Sequence, residues 1–359
     1  MNFAFFGSYG SFGYFKIGGI ESLTRRLAGE LLRRGHRVGF VLYGAPATGD
    51  EITGSGINLH YRPTFREALA TLAHSYEQVL TLYLHPRDRF IYLKFRRAQR
   101  HRLCFHQLCT TWPDSSLKRW VRNLHVRFYP FNGRLFCISP RIKKAVSQWS
   151  EKGVLLLPPV PPAYFLTPES KPWHPKVRVT YIGRTEPAKG IEEVINLHRL
   201  FQDQSGWDLT IYGFHYQDHP EAVRMHEWLS RQQEIRYVYT PFEGYSNSVE
   251  DNLARVLADS DILLLPYLRL SSTIDTPVLL LEGMASLCAV FTRPWGDIPT
   301  IYGPSPFLLN KVEEMGEILK QLQRSQELLK QERQRIHQRN KQLGFNTEMV
   351  AQRFLEAIS

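Results

Sequence analysis

In the stretch DTPVLLLEGMA two carboxylates, Asp275 and Glu282, bracket an otherwise apolar run. The pattern predicts a helix that begins near Asp275–Thr276–Pro277, with Asp275 or Thr276 able to cap it and Pro277 suited to its first turn. The free N–H groups from Thr276 to Val278, together with the helix dipole, attract an anion such as a phosphate. Glu282 falls about two turns in, on nearly the face of Asp275. An ionised group in so apolar a helix needs a partner, and a carboxylate at that depth can accept two hydrogen bonds from a ribose diol. The plainer reading is a capping residue and a surface glutamate. A second set is Arg184 and Lys189 in IGRTEPAKG, directly after an apolar strand. Two cations on one loop, with Gly183 and Gly190 giving backbone room, can clamp a phosphoanhydride; the plainer reading is a basic surface turn. A third candidate is His106, which this reading puts at the end of a strand Arg102–Phe105. A side chain at the C-terminal end of a parallel strand faces the ligand crevice. His85 ends the preceding strand and competes with it, and a satisfied structural histidine is the alternative for both.

The elements around these residues alternate. An apolar strand at 2–6 runs into a loop holding Gly7, Gly10, Gly13, Gly18 and Gly19, then a helix over about 20–34 that buries Leu23, Leu27, Leu31 and Leu32. Gly35 ends it and the strand Arg37–Tyr43 follows. Glycines between strand and helix let backbone approach a ligand closely. Further strands are expected at Asn58–Tyr61, Gln78–Leu84, Leu135–Ile138 and Val154–Leu157, which makes a doubly wound α/β domain. The proline-rich stretch through 161–176 reads as a linker. A second alternating domain then begins with the strand Val177–Ile182 and ends in one long charged helix, about 312–342, and a last amphipathic helix at 347–358.

The chain of 359 residues is 43% hydrophobic and 22% charged, which suits two globular domains. No apolar run approaches the ~20 residues that cross a bilayer, and the first residues lack the basic and apolar regions of a signal peptide. The four cysteines, Cys104, Cys109, Cys137 and Cys288, match no zinc spacing and read as buried thiols of a reducing, cytoplasmic compartment. Charge is uneven: residues 1–166 hold 24 Lys and Arg against 9 Asp and Glu, and residues 167–359 hold 21 against 25. Within the basic half, Arg87–Arg102 mixes Phe90, Tyr92 and Phe95 with dense cations, and Lys118–Tyr129 repeats the mixture. Both read as surfaces for an anionic membrane. No nucleic-acid-binding module is present.

The ordered segments GGIESLTRRLAGELLRRGHRV, CISPRIKKAV with LLPPV, YIGRTEPAKGIEEVI, LADSDILLLPY and DTPVLLLEGMA with GDIPTIYG resemble a retaining, GT-B-fold glycosyltransferase of the large family-4 group (glycosyl transferases group 1). The resemblance implies two Rossmann-like domains facing across a cleft. An acceptor-binding domain takes 1–160, a linker 161–176, a nucleotide-sugar domain 177–345, and a helix at 346–359 crosses back. It implies transfer from a nucleoside diphosphate sugar to a glycan, lipid-linked or small-molecule hydroxyl, with retention and with no metal or other cofactor. Arg184 and Lys189 would neutralise the diphosphate, Glu282 would hold the ribose, Gly18 and Gly19 would approach the phosphate, and His106 would be the active-site histidine. One departure stands out: Ile274 occupies the place of the family's first motif glutamate, with Asp275 as the nearest carboxylate. The alternatives are a catalytically silent paralogue that binds nucleotide sugar or a partner, and a nucleotide-sugar epimerase of similar fold.

Overall fold

The computed structural model describes residues 1–82, 103–111, 117–118, 120, 133–201, 206–215, 219–240, 246–269, 272–311 and 313–359. His85, the segment Arg87–Arg102 and most of Lys118–Tyr129 lie outside them. The chain divides into two compact units, Met1–Pro159 with Phe345–Ser359, and Val160–Gly344.

The first unit is built on an eight-stranded sheet in the order β3-β4-β2-β1-β5-β6-β7-β8. The strands are β1 Asn2–Ser8, β2 Arg37–Tyr43, β3 Gly49–Ile52, β4 Asn58–Arg62, β5 Gln78–Thr81, β6 Cys104–Cys109, β7 Leu135–Cys137 and β8 Gly153–Leu155. All pairings are parallel except β3 with β4, an edge hairpin that the hydrophobic pattern does not reveal. Central strands read as continuous apolar runs because helices cover both faces; Phe3–Phe6 and Val38–Leu42 are buried accordingly. Helix α1, Gly19–Arg33, lays Leu23, Leu27 and Leu31 into the core at helical spacing. Gly35 stops it at φ +81°. There the His36 N–H donates to Leu31 and the Gly35 N–H to Leu32, which satisfies the last carbonyls. The helix Thr347–Ile358 belongs to this unit and packs Phe354 against Phe136 at 4.7 Å.

The second unit carries five parallel strands in the order β11-β10-β9-β12-β13: β9 Val177–Arg184, β10 Trp207–Phe214, β11 Arg236–Tyr239, β12 Ile262–Leu265 and β13 Ala289–Thr292. Chain order therefore reverses between β9 and β12. In such sheets the crevice for a ligand opens beyond the strand C-termini at that reversal.

Three expectations change here. The proline-rich stretch is no free linker. Leu166 N–H donates to Ala285 at 3.0 Å, the Tyr164 carbonyl accepts from Ser286 at 3.1 Å, and Lys171 is buried, donating to the Leu257 carbonyl at 2.8 Å. Proline fixes an extended path without preventing its apolar neighbours from packing. The long charged helix is two, Glu313–Arg324 and Glu327–Leu343, with the Ser325 hydroxyl accepting from the Glu327 N–H at the break. Of the four cysteines, Cys104 is only half-buried while the other three are buried.

Candidate active site

The second unit's candidate residues converge on the reversal between β9 and β12. Arg184 is the last residue of β9, and its guanidinium pairs with Glu186 at 2.8 Å. The next turn, Pro187–Lys189, ends at Gly190 in the left-handed region at φ +82°. A Cβ there would collide with the carbonyl of Pro266, just past β12. Only glycine satisfies both demands, and so the Lys189 loop lies against the β12 exit. Gly183 stands less tightly against Tyr181, whose hydroxyl donates to the Arg184 carbonyl at 2.8 Å and fixes the strand end.

Lys189 Nζ donates to the Ser272 carbonyl and stands 5.2 Å from the centre of the Tyr267 ring. Burial, then the neighbouring Arg184 charge, pull its ammonium down to about 8, with Glu186 opposing. Two cations held this close repel each other and gain from an anion between them.

Tyr267 went unnoticed as a site residue in the sequence, where it reads as the apolar end of LLLPY. The structure makes it the common neighbour of the set. The Trp295 indole N–H donates to its carbonyl at 2.9 Å. Burial above all pushes its hydroxyl up to about 12; the Glu282 carboxylate adds to this, and a hydrogen bond with Thr273 and the Arg184 charge oppose it. The Arg184 and Glu282 charges thus act on the Tyr267 hydroxyl while Lys189 stands over its ring.

The helix carrying Glu282 is Val278–Ala285, with Pro277 at its N-cap and no side chain capping it. It starts later than the sequence suggested. Its N-cap is Pro277, and Asp275 and Thr276 are buried ahead of it. Proline offers the first amide N–H groups no side-chain acceptor of its own, although the Leu280 N–H donates to the Pro277 carbonyl at 3.1 Å; helix starts of this kind receive anions elsewhere. Gly283 faces Leu263 and Val290 so closely that a Cβ would strike the Leu263 side chain, and the helix therefore lies tight on β12 and β13. Glu282 itself is 3% exposed.

His106 stands elsewhere in the architecture. Its strand is Cys104–Cys109, not Arg102–Phe105, so the residue lies within β6 and does not end it. Nε2 bonds Gln78 at 2.8 Å and Nδ1 accepts from the Arg134 N–H at 2.9 Å. Burial, and then Arg134, push its pKa down to about 4. Phe136 and Phe354 pack around the ring. With both nitrogens engaged toward the strand starts, His106 is a core histidine of the first unit. Gly18 is the N-cap of α1 and Gly19 its first residue. The Glu21 carboxylate fills the space a Cβ on Gly18 would take, so the protein's own anion sits at this helix start. Among the described residues no group of three or more His, Cys, Asp or Glu is placed to hold a metal ion, and no helix is long and apolar enough to cross a membrane.

Residues 176–325, which span the Arg184–Glu282 set, match the model of the family described as Glycosyl transferases group 1. The glycosyl transferases group 1 match covers β9 to β13, and thus the whole reversal. No curated protein sequence matches the chain. Among solved structures, Anabaena HepE in complex with UDP aligns over 99% of this chain and 99% of its own, with TM-score 0.69 at 13% identity. The catalytic domain of Starch Synthase IV from Arabidopsis thaliana, bound to ADP and acarbose, gives 0.63 at 12% identity over 98% and 99%. WaaG, a glycosyltransferase involved in lipopolysaccharide biosynthesis, gives 0.63 at 14% identity over 98% and 99%. At such identities the likeness establishes the fold, which is GT-B.

Proposed function

We propose that the protein is a glycosyltransferase that moves a sugar from a nucleoside diphosphate sugar to an acceptor hydroxyl with retention at the anomeric carbon. The observation that carries this reading is that the Arg184 strand end, the Lys189 loop and the start of the Glu282 helix all stand at the reversal between β9 and β12, with Lys189 5.2 Å from the Tyr267 ring centre. Negative charge grows on the departing diphosphate as the glycosidic bond breaks. Arg184, Lys189 and the first amides of the Val278–Ala285 helix stabilise it there, and the reading calls on no metal. Glu282 accepts the ribose hydroxyls. The acceptor hydroxyl attacks from the face the diphosphate leaves and passes its proton to a phosphate oxygen. The family resemblance and the solved neighbours, two of which hold UDP or ADP, support the donor class.

The test is nucleoside diphosphate release from a panel of UDP-, ADP- and GDP-sugars, with and without saccharide acceptors, and anomeric analysis of the product. Release that depends on acceptor and falls on Arg184→Ala supports the reading; an inverted product removes retention from it. A second reading, a silent paralogue that binds nucleotide sugar without turning it over, draws on Ile274 and on Asp275, which is buried ahead of the helix. Tight nucleotide binding with no release from any donor would favour it. Association of the basic first half with anionic membrane belongs to the same proposal, and phosphatidylglycerol vesicles that retain the protein at low salt and free it at high salt check it.

A further inference from the structure

The first unit exposes aromatic rings from a backbone that is firmly held. Tyr9, immediately after β1, is 39% exposed and Phe15 is 48% exposed. The loop between them is pinned at every turn. Phe12 is fully buried, and the Ser11 and Phe12 N–H groups donate to the Ser8 carbonyl. The Tyr9 N–H donates to Tyr43 at 2.8 Å, and Lys16 Nζ reaches the carbonyls of Gly10 at 3.0 Å and Tyr9 at 3.3 Å. Arg25 holds the carbonyls of Tyr14 and Lys16 at 2.7 and 2.6 Å.

Tyr9 has company. Its ring meets that of Tyr61, near the C-terminal end of β4, at 5.9 Å between centres and 82° between planes, so the two rings form a corner. Beside them Gly10 has open space where a Cβ would stand, and Gly49, paired with Tyr61 across the hairpin, keeps the flank of the Tyr61 ring clear. Glu51 is exposed two residues along β3 on the face of Gly49; burial first, and then the Glu51 carboxylate, raise the pKa of the Tyr61 hydroxyl. Order in this sheet reverses between β1 and β5, so Tyr9 stands at the strand ends where such a sheet receives a ligand.

A corner of two phenols, open backbone and a carboxylate is the chemistry that holds a neutral sugar. The C–H face of a pyranose packs on an aromatic face, and its hydroxyls donate to the carboxylate and share hydrogen bonds with the phenols. We propose that the Tyr9–Tyr61 corner, with Glu51, binds a pyranose ring of the acceptor, which makes the acceptor a saccharide or glycoside. The inference rests on the transferase reading above.

Saturation-transfer NMR on the full chain tests it, with methyl hexopyranosides, maltose, lactose and N-acetylglucosamine as probes and phosphatidylglycerol vesicles as the contrasting surface. The expected result is millimolar binding of at least one saccharide, roughly tenfold weaker in Tyr9→Ala, little changed in Tyr9→Phe and weaker in Glu51→Gln. Because Tyr9 and Glu51 are exposed, these variants keep the melting temperature, which is measured alongside. Absence of saccharide binding, or binding indifferent to Tyr9→Ala and Glu51→Gln, overturns the proposal; so does vesicle binding that is lost with Tyr9→Ala while no saccharide binds. UDP, ADP and GDP are titrated into the same samples. If a nucleotide binds and no sugar does, the acceptor inference alone has failed; if no nucleotide binds, the transferase reading has failed first.

Discussion

The two sheets share a plan and put their polar residues to different use. In the second unit, Arg184 and Tyr267 stand where β9 and β12 end, and the Lys189 loop and the Glu282 helix close on them. In the first unit, His106 lies inside β6, bonded to Gln78 and to the Arg134 amide that precedes β7. Three residues along a strand separate a group that can meet a ligand from a group that completes a core. At a strand end the backbone diverges and leaves room; inside the strand a polar side chain must be fully bonded or pay the cost of burial.

Mutations break or sharpen that contrast. The largest effect is expected from Arg184→Ala, which removes charge from the developing diphosphate. Turnover should fall on the order of a hundredfold or more, about 3 kcal/mol in the barrier, with melting temperature unchanged; nucleoside diphosphate release measures it, and full turnover would end the assignment. His106→Ala should do the opposite, costing about 2–4 kcal/mol of stability in denaturant titration while nucleotide affinity holds. A loss of turnover without loss of stability would put His106 back in the site. Glu282→Gln should weaken nucleotide binding by roughly tenfold in calorimetry, with a smaller penalty for a 2′-deoxynucleotide that lacks the partner hydroxyl.

The pH responses of the two units should also differ. Lys189 in the free protein loses its proton near 8. The diphosphate affinity it supports is therefore complete below that pH and declines as pH rises through about 8, and the decline disappears in Lys189→Met. His106 is held down near 4 against an ordinary 6.5. The unfolded chain takes up that proton first, so the stability His106 contributes is complete above 6.5 and is lost as pH falls toward 4. Melting temperatures across this window, compared with His106→Ala, isolate it. The smallest effect belongs to Tyr267→Phe. The ring beneath Lys189 stays and only the hydroxyl bond with Thr273 goes, so about 1 kcal/mol or less in nucleotide affinity is expected; Tyr267→Leu should cost more because the cation loses its aromatic face.

Much of this was legible before any coordinates. The strand–glycine loop–helix unit at the start, the IGRTEPAKG loop and the apolar helix around Glu282 each carry their signal within a few residues. Local periodicity and glycine chemistry decide such features. Tyr267 could not be found that way, because its importance comes from Lys189, Thr273 and Glu282, which reach it from separate elements. A faint hint existed in a tyrosine directly after a buried apolar strand. The start of the Glu282 helix was misplaced because Asp275 and Thr276 have capping chemistry, yet tertiary packing buried both ahead of the helix. His106 was misread by a strand boundary: the pairing of Cys104 with Gln78 and of Cys109 with Cys137 moves β6 along the chain, and pairing is not visible in one strand alone.

The sequence by itself determined the alternation of strands and helices, the glycine turns and the chemical types available, since each depends on neighbours along the chain. Strand order was left to the tertiary structure, and with it the reversal between β9 and β12 that gathers Arg184, Lys189, Tyr267 and Glu282. That order is settled by which apolar faces bury one another across the sheets, a property of distant segments that no local spacing records.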